Sequence, residues 1–84
     1  MKTMTMVSAP WCRPCATMKP IAREMCAKLG IPFDILDCED DMAKVGEMNI
    51  GSVPTFIIFQ GGKETFRWEG SLNPKKLEEL LVGG

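Results

Sequence analysis

Between Lys2 and Val7, Met4 and Met6 alternate with Thr3, Thr5 and Val7, a period of two that predicts a β-strand. The segment Ser8-Ala9-Pro10-Trp11-Cys12 breaks that period. From Arg13 to Leu29 the apolar positions Cys15, Met18, Ala22, Met25, Cys26 and Leu29 recur three and four residues apart, which predicts a helix of about four turns. Gly30 and then Ile31-Pro32 end it. Pro20 falls inside this helix, where a missing N–H and a clash with the preceding turn predict a kink. Phe33 to Asp37 reads as a second strand, and Asp40 to Met48 as a short helix with acidic residues in its first turn. A loop over Asn49 to Ser52 follows. "PTFIIFQGGKETFRW" holds two β-rich runs around Gln60-Gly61-Gly62-Lys63, a hairpin signal. Asn73-Pro74 then sets a capping residue before a first-turn proline, Leu77, Leu80 and Leu81 supply an apolar face, and Gly83-Gly84 close the chain.

The predicted order is β-α-β-α-β-β-α, an α/β fold with a four-stranded mixed sheet flanked by three helices, in one domain over residues 1–84. At 84 residues with 45% hydrophobic positions, the chain is small but able to build one core. Ten Lys and Arg against eleven Asp and Glu leave a net charge of -1 and no basic block, so neither nucleic acid nor a membrane surface is an expected partner. The opening "MKTMTMV" lacks the apolar core of a signal peptide, and a cytoplasmic monomer is the expectation.

Four cysteines change the picture: Cys12, Cys15, Cys26 and Cys38. The Cys12-Cys15 pair admits a permanent staple, half a metal site or a reversible redox couple. A staple closing so short a loop removes little chain entropy. A four-cysteine zinc site would need a second close pair, which the spacing of Cys26 and Cys38 does not provide. The chain contains no histidine, so any thiol chemistry works without an imidazole base. With Cys12 at the cap of the first helix, its thiolate accepts the N–H of Cys15 and faces the positive end of the helix dipole, and both effects favour S⁻. The two-residue spacing then has a reason, because the third helical position carries both the capping N–H and the second sulfur. Cys12, at the exposed end of the junction, is the expected nucleophile and Cys15, opening the apolar stripe, the resolving thiol. Pro14 suits the first turn, and Arg13 adds positive potential beside the nucleophile. Cys26 reads as an inert core thiol. Cys38 follows the second strand, where a regulatory or dimer-forming role stays open.

"APWCRPC" followed by Pro20, then "IGSVPTFIIFQGG" and "EGSLNPKKLEELL", closely resembles thioredoxin and its small thioredoxin-like relatives, over about Met6 to Leu81. The resemblance implies a thioredoxin-like fold without the extra N-terminal strand and helix of full-length thioredoxins. It implies a disulfide reductase with no bound cofactor, cycling through a Cys12-Cys15 disulfide. Pro54 becomes a cis-proline preceded by Val53, consistent with X-Pro being the bond where cis is least costly. Trp11 and Gly70 complete an apolar docking surface for disulfide-containing protein substrates. Electrons would come from an NADPH-linked thioredoxin reductase or from glutathione. A glutaredoxin-like, glutathione-dependent reductase and a noncatalytic docking module are the alternatives.

The resemblance also exposes a departure. Thioredoxins bury an aspartate behind the inner cysteine, where Met6 stands here, and the lysine accompanying it aligns with Ile35. Losing both is physically coherent, since one buried charge without its partner is strongly destabilising whereas an apolar pair packs. Cys15 must then lose its proton to water or to the leaving thiolate, and slower resolution than in aspartate-bearing thioredoxins is expected.

Overall fold

The computed structural model describes residues 1–83. Its central strand is β1 (Lys2–Ser8), which pairs in parallel with β2 (Phe33–Asp37) on one edge and antiparallel with β3 (Thr55–Gln60) on the other. β4 (Lys63–Glu69) adds antiparallel to β3, giving the order β2-β1-β3-β4 and the mixed four-stranded sheet the sequence predicts. Successive residues of a pleated strand face opposite sides. Met4 and Met6 stand opposite Ile58 and Phe56 of β3, and all four pack beneath α1 (Arg13–Leu29) and α3 (Pro74–Gly83). Cys15, Met18, Ala22 and Cys26 of α1, with Leu77 and Leu81 of α3, complete that core. Val7 and Ile57 turn the other way, onto Val45 of α2 (Met42–Glu47). Each such buried side chain contributes about 1.5–3 kcal/mol of apolar burial.

α1 has the limits its periodicity predicts. It ends at Gly30, whose φ of 71° lets the Ile31 N–H reach back to the Cys26 carbonyl at 2.8 Å. The helix runs on unbroken through Pro20, which is exposed, as is Ala16, the residue whose carbonyl the proline deprives of its N–H partner. The turn between β3 and β4 places Gly61 and Gly62 at φ of 60° and 83°, the doubly left-handed geometry of a type I′ hairpin.

α2 departs from expectation. It starts at Met42 rather than Asp40 and carries no acidic residue in its first turn. The carboxylates of the preceding run are engaged in a turn instead: Asp37 Oδ1 accepts from the N–H groups of Glu39 and Asp40 at 2.8 and 3.1 Å, and Asp41 Oδ2 from the N–H of Asp37 at 3.0 Å. Side chains that satisfy local N–H groups in this way compete with helix initiation. At the other end, α3 takes in Gly83, and the expected terminal Gly84 lies outside the described residues.

Asn73 caps α3, its Oδ1 accepting the Lys76 N–H at 2.8 Å. Asn73→Ala should therefore lower stability by about 1 kcal/mol, read as a drop in thermal midpoint of roughly 4–8 °C. Cys26 is fully buried on the α1 stripe, and desolvation pushes its thiol from 9.0 up to about 11. The native thiol thus keeps its proton where the unfolded one loses it, so stability should fall as pH rises from about 9 toward 11. Iodoacetamide at pH 8 should label half-buried Cys38 and spare Cys26 until the protein unfolds, as mass spectrometry of peptides would show.

Candidate active site

The chain turns sharply where β1 stops. The Ser8 carbonyl accepts the Cys38 N–H at 2.9 Å, and the Ala9 carbonyl accepts the Cys12 N–H at 3.1 Å. Cys12 is the N-cap of α1, with extended backbone (φ -89°, ψ 108°), and its Sγ accepts the Cys15 N–H at 3.2 Å. Sulfur thus occupies the place a capping oxygen usually takes. Cys12 and Cys15 are joined as a disulfide, with their Cα atoms 5.2 Å apart. The expected order of exposure holds only narrowly: Cys12 is 6% exposed and Cys15 1%. The expectation of an exposed Cys12 is corrected, because its sulfur turns into the helix end and its N–H into Ala9; the open residue at the junction is Trp11, at 68%. Arg13 and Pro14 lie exposed on the outer side of the first turn, as expected.

Val53, Pro54 and Gly70 come together as a unit. The Val53–Pro54 peptide bond is cis, and the Pro54 carbonyl accepts the Gly70 N–H at 2.8 Å. Gly70 has a φ of 103°, a conformation closed to residues with a Cβ. The Thr55 hydroxyl donates to the Ser52 carbonyl at 2.6 Å, fixing the approach to Pro54. Trp11 and Val53 border a groove of about 190 Å³ whose remaining lining is Cys38, Val45, Ile50, Gly51 and Ser52. Sequence reasoning placed Ile50, Gly51 and Ser52 in a loop and gave them no site role, and for Cys38 it left open a regulatory or dimer-forming role rather than a place in this groove; only the loop's position before an X-Pro bond hinted at one.

Arg67 of β4 braces this loop. Its guanidinium is held on both oxygens of Glu64, at 2.9 and 2.8 Å, and a further N–H donates to the Asn49 carbonyl at 3.2 Å. Asn49 adopts a φ of 54°, which Asn tolerates better than most residues. Hydrogen bonding to Arg67 lowers the Glu64 carboxyl below its usual range.

Behind the disulfide the surroundings are carbon and sulfur. Met6 is buried, and in the β1–β2 register it pairs with Ile35, so the two positions where the family resemblance expects an ion pair are neighbours here and both apolar. The Ser8 hydroxyl is buried without a hydrogen-bond partner among the described residues, a feature the sequence reading missed. No grouping of three or more His, Cys, Asp or Glu side chains suited to a metal occurs among those residues.

Comparison with known proteins agrees with this geometry. The thioredoxin family model matches residues 2–82. A chloroplastic thioredoxin Y from Oryza sativa subsp. japonica is 39% identical over 75 residues, covering 87% of this chain and 45% of that protein. Thioredoxin from Gallus gallus is 33% identical over 75 residues, covering 88% of this chain and 70% of that protein. The chain therefore spans less than half of the plant relative and about two thirds of the bird one. Among solved structures, a mutant thioredoxin from Halobacterium salinarum NRC-1 matches with a TM-score of 0.92 at 20% identity, covering 98% of this chain and 73% of that one. A reduced Schistosoma mansoni thioredoxin matches at 0.90 and 26% identity, with 98% and 77% coverage. A sulfur-capped helix behind a CxxC disulfide, the Val53-Pro54 loop beside it and a family match over residues 2–82 together make this chain a member of the thioredoxin family.

Proposed function

We propose that the chain is a thiol–disulfide oxidoreductase that reduces protein disulfides by dithiol exchange. The observation that carries this reading is the Cys12 sulfur at the N-terminus of α1, accepting the Cys15 N–H while bonded to the Cys15 sulfur. In the reduced protein that N–H and the unpaired amides of the first turn stabilise Cys12 as the thiolate, the form that attacks. The Cys12 thiolate displaces one sulfur of a substrate disulfide, which leaves as a thiolate and takes up a proton. Cys15 then loses its proton and attacks Cys12, the mixed disulfide breaks, and the second substrate sulfur leaves reduced. Two electrons pass to the substrate, and the Cys12-Cys15 disulfide remains.

Trp11, Val53, Pro54 and Gly70 form the docking surface in this reading. An extended substrate segment lies along the Trp11–Val53 groove with its disulfide over Cys12, while Arg13 and Pro14 border the approach. No bound cofactor takes part. An NADPH-linked thioredoxin reductase is the donor favoured by relatives named thioredoxin, and glutathione is the competing source. A cytoplasmic monomer remains the working reading of location and assembly, supported by composition alone.

With dithiothreitol as reductant, the protein should accelerate insulin precipitation, and Cys12→Ser should abolish the acceleration. An acceleration that survives Cys12→Ser would overturn the assignment of the nucleophile, and no acceleration by the wild type would overturn the reductase reading. NADPH consumption should follow addition of thioredoxin reductase and insulin, and should stay at background when glutathione and its reductase replace it.

A further inference from the structure

The Ser8 hydroxyl is the buried side-chain polar atom that has no hydrogen-bond partner among the described residues. Thr55, the other buried polar side chain, is engaged with Ser52. The Ser8 backbone is fixed by its carbonyl's bond to the Cys38 N–H and by its place opposite Asp37 in the β1–β2 register. Strand alternation puts Ser8 on the same face as Met4 and Met6, which pack in one cluster with Cys12 and Cys15. One residue further on, the Ala9 carbonyl holds the Cys12 N–H. Ser8 therefore stands at the end of β1 where the disulfide loop begins, with a donor that has no partner among the described residues.

Donors are unevenly shared between the two sulfurs. Cys12 already has the Cys15 N–H and the end of α1. No hydrogen bond to the Cys15 sulfur is formed among the described residues, yet this sulfur must become anionic to resolve a mixed disulfide. A sulfur in a closed disulfide is a weak acceptor, whereas a thiolate is a strong one. A hydroxyl left idle in the oxidised protein gains a partner when the bond opens.

We propose that the Ser8 hydroxyl donates a hydrogen bond to the Cys15 sulfur when the disulfide is open, stabilising the thiolate that resolves the mixed disulfide. The proposal rests on the dithiol reading above and assigns Ser8 a role in it. In the step, the Cys15 proton passes through solvent to the departing substrate thiolate, the Cys12–Cys15 bond forms, and the bond from Cys12 to substrate breaks. Ser8 keeps its own proton throughout and acts by electrostatic stabilisation of the anion. Met6 can accept no proton and the chain has no histidine, so this hydroxyl supplies a polar group that the apolar face otherwise lacks.

The test measures Cys15 directly, in a Cys12→Ser, Cys38→Ser background that leaves buried Cys26 as the other thiol. Iodoacetamide labelling of Cys15 against pH, read by peptide mass, gives the ionisation midpoint. Ser8→Ala should raise that midpoint by about one unit, a roughly tenfold loss of thiolate near pH 7. Ser8→Thr, which keeps the hydroxyl, should restore the midpoint to near its original value. In the wild-type cysteine background, stopped-flow should show Ser8→Ala slowing resolution about tenfold while attack by Cys12 on a chromogenic disulfide keeps its rate. The thermal midpoint of the oxidised protein should hold or rise in Ser8→Ala, since an unpaired buried hydroxyl has been removed. An unchanged Cys15 midpoint in a folded Ser8→Ala protein, or an equal shift in Ser8→Thr, overturns the proposal. Should Ser8→Thr not fold, the Ser8→Ala midpoint and resolution rate decide alone. Labelling needs no turnover, so a wild type inactive on insulin would sink the reductase reading while the Cys15 midpoint still decides the role of Ser8.

Discussion

β1 is buried on both faces and hydrogen-bonded along both edges, and that constraint organises everything around it. A slip of one residue would carry Met4 and Met6 from the α1 face to the α2 face and send Val7 the other way, so the register is held by packing on two sides at once. The strand therefore delivers its last residue, Ser8, to a fixed place at the edge of the core. The turn that follows has little freedom: the Ala9 carbonyl takes the Cys12 N–H, and Cys12 must then cap α1. The Cys12–Cys15 pair is positioned by the sheet's centre rather than by a flexible loop, which keeps the two sulfurs within bonding reach.

Much of this was legible in the chain. Period-two alternation in Lys2–Val7 and period-3.6 spacing in Arg13–Leu29 are strong signals, and the observed β1 and α1 follow them closely because burial and periodicity act together there. The sulfur cap was legible too, since a CxxC spacing matches the cap-to-third-residue hydrogen bond. Where local side-chain chemistry competes with periodicity the reading failed. Asp40 looked like a helix start, but the carboxylates of Asp37 and Asp41 satisfy the turn's own N–H groups and delay α2 to Met42. The groove escaped for a different reason. Cys38, Ile50 and Ser52 meet Trp11 only through the sheet, and no local pattern encodes a contact between segments so far apart. Ser8 fell in the segment that breaks the alternation; that it would be fully buried depends on β2 pairing one residue past the visible alternation.

The stripe on α1 shows how one residue type serves opposite ends. Cys15 and Cys26 are eleven residues apart, close to three turns, so both point into the same core beneath the same strand. Both are buried. Cys26 sits in the last turn, where the carbonyl end of the helix dipole opposes a negative charge and adds to the burial that already pushes its thiol up to about 11. Cys15 sits in the first turn, where the backbone N–H groups lack intrahelical partners and where it is bonded to the Cys12 sulfur. The helix therefore separates a free buried thiol from a disulfide-bonded one by position along its axis. Met6 and Ile35 leave no buried carboxylate or ammonium to blur that distinction. In a site built this way, the charge that thiol chemistry creates is met by backbone amides and neutral donors, whose own protonation does not change across the physiological range.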